Sequence, residues 1–173
     1  MNNIYLIGFM GCGKTSSGKK LSKLLNIPFL DTDQMIVETA GKKIPDIFNE
    51  EGEEAFRARE TEVFRRLAEE KTCGAVISCG GGAALREENV TLMKQGGIVV
   101  MLTAKPETIY HRVKGGHNRP LLEGRMNVEG IAELMEGRLP FYEKAADVKI
   151  KTDRLRCAQV AKNIQKAIKA MES

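Results

Sequence analysis

Eight consecutive residues near the start of the chain, Gly8-Phe9-Met10-Gly11-Cys12-Gly13-Lys14-Thr15, restrict its fold more than any other stretch. They fit the pattern G-x-x-x-x-G-K-[ST], follow the apolar run Ile4 to Ile7, and precede residues with helical spacing. A strand, a glycine-rich loop and a helix in that order fold so that successive backbone N–H groups face a chain of phosphates. The partial positive charge of the helix N-terminus adds to the attraction. In such a loop Gly11, Cys12, Gly13, Lys14, Thr15 and Ser16 make the nucleotide contacts. Lys14 reaches the β- and γ-phosphates, and Thr15 offers an oxygen to Mg²⁺. A chance match in a chain of this size is on the order of 1%, and the correct flanks lower that further.

A phosphate-binding loop of this type opens a parallel sheet, and the rest of the chain supplies one. Short β-rich runs at Asn3 to Ile7, Pro28 to Asp31, Gly74 to Cys79, Gly97 to Leu102 and Asp147 to Lys151 alternate with helical patterns. That alternation predicts an α/β fold, a three-layer α/β/α sandwich around five parallel strands. Leu21, Leu24 and Leu25 mark the apolar face of one helix, and Phe56, Val63, Phe64 and Leu67 that of a longer one. Cys157, Val160, Ala161, Ile164, Ala167, Ile168 and Met171 form one stripe on the last, with Lys162, Lys166 and Lys169 pointing elsewhere. The segment Lys114 to Asn127 has three glycines, a proline and no period, so residues 114–127 are read as a loop long enough to act as a lid.

Composition narrows the class. The 173 residues suit one domain, 1–173, and 42% apolar with 29% charged residues is a globular balance rather than a disordered one. No apolar stretch approaches the roughly 20 residues that cross a bilayer. The N-terminus lacks the basic region of a signal peptide, so a cytoplasmic protein is expected, without membrane association. Four cysteines without C-x-x-C spacing read as free thiols, with neither disulfide nor zinc. A net charge of +4 suits anionic ligands, but the absence of Trp and the 5% aromatic content argue against nucleic acid. A monomer is expected.

Further residues suggest what the phosphate meets. Asp31 and Asp33 follow the second strand at the edge of the sheet where ligands bind. One can serve Mg²⁺ and the other an acceptor, although either aspartate alone also fits as a helix N-cap. The third strand carries no Walker-B aspartate, which leaves Asp31 as the second metal contact beside Thr15. Arg57 lies four residues after Glu53 and three before Glu60, so either carboxylate can orient it, and a plain surface ion pair is the alternative. Gly80-Gly81-Gly82 at the end of the third strand implies a close approach to the backbone or a flexible turn. Arg119 in the glycine-flanked loop can stabilise charge on a transferred phosphoryl group. Arg57 and Arg138 together can clamp an acidic acceptor.

The order and spacing of these elements resemble the shikimate kinase family over essentially the whole chain. The matching pieces are G-F-M-G-C-G-K-T-S-S-G, Phe29-x-Asp31-x-Asp33, Ile44 through Ile47-Phe48, Gly52-Glu53-x-x-Phe56-Arg57-x-x-Glu60, Gly80-Gly81-Gly82, Arg119-Pro120-Leu121-Leu122 and Arg138-x-x-x-Tyr142. The resemblance implies the nucleoside monophosphate kinase-like version of the P-loop fold, with a helical acceptor-binding segment at about 32–70. It also implies transfer of the ATP γ-phosphate to the 3-hydroxyl of shikimate. By the same likeness Asp33, Arg57, Gly81 and Arg138 bind shikimate, with Asp33 the candidate base. Thr15 and Asp31 serve Mg²⁺, Arg119 completes the phosphoryl site, and Arg112 stacks on adenine. A gluconate or nucleoside monophosphate kinase, or a P-loop protein that only binds nucleotide, remains the competing reading.

Overall fold

The structure, a computed structural model, describes residues 2–72, 74–116 and 122–173. The chain runs β1 (Asn3–Ile7), α1 (Lys14–Leu25), β2 (Phe29–Asp31), α2 (Thr32–Ala40), α3 (Ile44–Glu51), α4 (Glu53–Glu69) and β3 (Val76–Ser78). A 3₁₀ turn (Ala83–Leu85) leads into α5 (Glu87–Gly96), β4 (Gly97–Thr103), α6 (Pro106–Val113), α7 (Val128–Ala145), β5 (Val148–Lys151) and α8 (Cys157–Glu172). All strand pairs are parallel, in the order β2-β3-β1-β4-β5. Five strands and an α/β architecture are therefore as the sequence predicts.

The central strand shows why the helices divide into two layers. Every residue of β1 is buried, and successive side chains leave opposite faces of the sheet. Leu6 meets α1, where an added Cβ on Gly18 would stand 3.0 Å from its Cδ1. Tyr5 faces the other way, towards Phe64 of α4 at 6.4 Å between ring centroids. Helices thus cover both faces, with α8 packed beside α1. A strand buried on both sides has no polar face to alternate with, which explains its unbroken apolar run.

Two expected core residues are corrected. Leu24 is 43% exposed and Met171 50% exposed, although both continue apolar stripes on α1 and α8. These helices run back to the N-terminal edge of the sheet, where Leu25 and Ile168 still close over Ile4 and Ile98. The stripes outlast the sheet they cover. Among the described residues, no helix is long and apolar enough to cross a membrane.

Strand register delivers the site. Asp31 of β2 lies opposite Ser78 of β3, which lies opposite Leu6 of β1, so Asp31, Ser78 and the loop after β1 reach the same edge. The chain switches sides at this point: β1 is followed by strands on one flank and then, after β3, by strands on the other. The resulting crevice outside the carboxyl ends of β1 and β3 is the usual ligand position in such a sheet.

Candidate active site

The loop between β1 and α1 wraps around its own lysine. Gly13, the N-cap of α1, is left-handed at φ 93°, a conformation that costs other residues about 1–2 kcal/mol. Lys14 is 9% exposed, and its Nζ donates to the carbonyls of Gly8 at 2.8 Å and Phe9 at 3.1 Å. The ammonium is thereby held over the loop by two of its carbonyls. Cys12 is buried, its Sγ 3.8 Å from Lys14 Nζ and its N–H donating to Phe9 O at 3.2 Å. The α1 N-terminus has no side-chain cap, which leaves its first-turn N–H groups, including those of Thr15 and Ser16, for a ligand.

Thr15 is tied to the sheet. Its hydroxyl donates to Asp31 Oδ2 at 3.2 Å and lies 3.3 Å from Ser78 Oγ. The other oxygen of Asp31 caps α2, accepting from the N–H groups of Asp33 at 3.0 Å and Gln34 at 3.2 Å. The capping and metal-site readings of Asp31 are therefore compatible, one oxygen for each. A hydroxyl and a carboxylate, with a second hydroxyl beside them, form an all-oxygen set that fits Mg²⁺. This ion keeps several waters and takes few protein ligands alongside substrate phosphates.

Two of the three glycines after β3, Gly80 and Gly82, stand where other side chains need the space. A Cβ on Gly80 would lie 2.7 Å from Asp33 Oδ1 and 2.8 Å from Glu60 Oε2. On Gly81 it would meet Arg138 Nη1 at 3.6 Å, and on Gly82 it would collide with the Arg57 guanidinium. The run marks close approach, with four side chains from α2, α4 and α7 converging on it. Arg57 is held by Glu60 at 3.0 Å and Glu53 at 3.6 Å and lies over the Phe56 ring. It is 8% exposed and Glu60 is fully buried, so the surface ion-pair reading is excluded. Arg138 lies over the ring of Phe9, in the phosphate loop.

Burial sets the protonation of this group. The Asp33 carboxyl is pushed above the ordinary carboxylate range by burial and then by the charge of Asp31, with Lys14 and Arg57 pulling the other way. Glu60 is also raised by burial, against the opposing pull of Arg57. Asp33 Oδ1, Glu60 Oε2 and Arg138 Nη1 are buried without a hydrogen-bond partner among the described residues. Of these three groups Asp33 borders the cavity itself, and Glu60 and Arg138 stand behind it against Gly80 and Gly81.

At the opposite end, Arg112 Nη1 donates to Gly11 O and Thr152 Oγ1 at 3.1 Å, and its Nη2 to Thr152 O at 3.1 Å. The guanidinium links the phosphate loop to the segment after β5. One cavity of about 540 Å³ runs from this end past Lys14 and Asp31 to Asp33 and Gly81. The sequence-predicted residues Gly11, Cys12, Gly13, Lys14, Thr15, Ser16, Asp31, Asp33, Gly81 and Arg112 all line it. Arg57 and Arg138 approach through their contacts with the glycine run, while Arg119 lies outside the described residues. Sequence reasoning missed Ser78, Thr32 and Thr152. Ser78 was accessible only through strand register, and Thr32, whose Oγ1 accepts from Gly80 N–H at 3.1 Å, only through the fold.

A phosphate loop at the switch point of a five-stranded parallel sheet, continuous with a pocket of buried acids and arginines, defines a P-loop kinase of small molecules. The sequence profile described as shikimate kinase matches residues 10–169. The shikimate kinase of Moorella thermoacetica is 46% identical, covering 97% of this chain and 95% of its own. That of Symbiobacterium thermophilum is 44% identical, covering 96% and 95%. The solved shikimate kinase of Acinetobacter baumannii in complex with shikimate superposes with a TM-score of 0.92 at 38% identity, covering 98% of this chain and 94% of that one. The chain belongs to the shikimate kinase family.

Proposed function

We propose that the chain transfers the γ-phosphate of ATP to the 3-hydroxyl of shikimate, giving shikimate 3-phosphate and ADP on the route to aromatic amino acids. The observation that carries this reading is the single cavity that joins the phosphate loop to Asp33, Gly80 and Gly81, with Arg57 and Arg138 packed against the same glycine run. Shikimate is a small carboxylate with three hydroxyls, and the A. baumannii relative was solved with it bound. Arg57 and Arg138 hold the carboxylate bidentately, Gly81 supplies a close backbone contact, and Asp33 accepts from ring hydroxyls.

The acceptor oxygen attacks the γ-phosphorus, the bond from that phosphorus to the β-bridging oxygen breaks, and ADP leaves. The hydroxyl proton passes to Asp33, whose affinity for a proton burial raises above that of an ordinary carboxylate, the direction a general base needs. Lys14 exchanges its contacts with Gly8 O and Phe9 O for phosphate oxygens and stabilises the migrating charge. Mg²⁺, held by Thr15 and Asp31, would neutralise β- and γ-phosphate oxygens. Arg112 positions the adenine end, and Arg119 is assigned to the transferred phosphoryl group on the strength of its Arg-Pro-Leu-Leu motif. A coupled ADP-release assay tests the reading: ADP must appear with shikimate and not with gluconate or nucleoside monophosphates. ADP release that is indifferent to shikimate overturns it.

A further inference from the structure

Tyr142 is a buried titratable group that the mechanism above does not use. It is 3% exposed, four residues beyond Arg138 on α7, and therefore on the same side of that helix one turn later. Its hydroxyl donates to the carbonyl of Gly81 at 2.5 Å. No other side-chain hydrogen bond among the described residues ties α7 to the glycine run. Gly81 in turn touches the phosphate loop, where a Cβ on it would stand 3.6 Å from Met10 N and 3.9 Å from Gly8 O. The same peptide thus borders both halves of the site, and Tyr142 holds its orientation.

The surroundings fit a group that donates and does not ionise. Burial pushes the Tyr142 hydroxyl above its ordinary value, against the pull of Lys14 and Arg138. The neighbouring segments are held independently: Gly80 by Thr32, and Ala83 by Asn89 Nδ2, which donates to its carbonyl at 2.9 Å. Gly81 lies between these anchors. Pro140 adds a reason for a tie at this place, since it removes a backbone N–H inside α7 and weakens the turn that carries Arg138.

We propose that Tyr142 is a positioning residue for phosphoryl transfer, its hydroxyl fixing the Gly81 carbonyl and so setting the glycine run and Arg138 against the acceptor. This rests on the shikimate kinase reading. Tyr142→Phe removes the hydroxyl and leaves the ring. A neutral hydrogen bond contributes about 0.5–1.5 kcal/mol, so kcat/KM for shikimate should fall roughly threefold to tenfold in total. KM for ATP and the affinity for ADP should stay within about twofold.

A purely structural tyrosine predicts a lower melting temperature with kinetic constants unchanged, and that result overturns the proposal. Equal losses in shikimate and ATP constants overturn it too. If the variant is too unstable for turnover measurements, ADP and shikimate are titrated calorimetrically below its melting temperature. Retained ADP affinity with weakened shikimate affinity supports the proposal; parental affinity for both overturns it. Turnover of the parent enzyme with shikimate is measured in parallel, so failure of the functional reading appears in the parent, and failure of this inference only in the ratio of variant to parent.

Discussion

The nucleotide end and the acceptor end of the cavity satisfy their polar groups in opposite ways. Around the phosphate loop Lys14 is bonded to two carbonyls, Thr15 to Asp31, and Arg112 to Gly11 and Thr152. Around the glycine run, Asp33, Glu60 and Arg138 each keep a buried atom without a partner. The first region pairs its charged side chains internally, leaves the first-turn N–H groups of α1 open, and exchanges the internal contacts for phosphate oxygens. The second leaves these atoms unpaired, and the folded chain carries a cost of about 1–3 kcal/mol per unsatisfied group.

The largest effect expected is on Lys14→Met, which should lower turnover by about a thousandfold or more while shikimate affinity stays within a few-fold. Steady-state kinetics with a shikimate titration checks this, and an equal loss of acceptor affinity would erase the division between halves. Next, Asp33→Asn should reduce turnover about a hundredfold or more and yet raise the melting temperature at neutral pH. A carboxyl whose folded affinity for protons exceeds its unfolded one opposes folding once ionised. That opposition is absent below the ordinary carboxylate range, grows as pH rises towards the folded value, and is complete above it. Calorimetry should show the gain at pH 7 vanish in acid. The acid limb of kcat/KM in the parent should also lie above the ordinary carboxylate range.

Arg57 and Arg138 separate two roles inside the acceptor half. Either change to Ala should weaken shikimate binding about 10- to 100-fold, the equivalent of losing a charged hydrogen bond of about 1.5–3 kcal/mol, with ATP binding unchanged. Only Arg57→Ala strands the fully buried Glu60. Breaking a buried pair costs about 3–5 kcal/mol, so its melting temperature should fall by about 10 °C, against a few degrees for Arg138→Ala. The smallest effect is on Arg112→Ala, which should raise KM for ATP several-fold and leave the shikimate constants alone.

How far the sequence disclosed each half follows from how each is encoded. The phosphate loop is contiguous, so its glycines, Lys14 and Thr15 are readable as a string, and the strand and helix beside it fix the fold class. The acceptor half gathers residues from α2, α4, the glycine run and α7. Its charges were legible as candidates, but which glycine faces which side chain depends on the assembled sheet. The partnership of Thr15 with Ser78 depends on the alignment of β2, β3 and β1, which no local pattern records. Leu24 and Met171 misled because helical spacing says which residues share a stripe, not where the sheet beneath it ends.

The three glycines after β3 carry a consequence for how this chain can vary. None has a reactive group, yet Gly80 and Gly82 stand in for the space that another element's working side chain occupies. In a library of all single substitutions, Gly80 and Gly82 should be as intolerant as Asp33 or Arg57, even to alanine, while protein yield from many of those clones stays near the parental level. Residue chemistry would overlook them as part of the site. Tolerance to replacement would find them, because the constraint on these positions is occupancy by a neighbour.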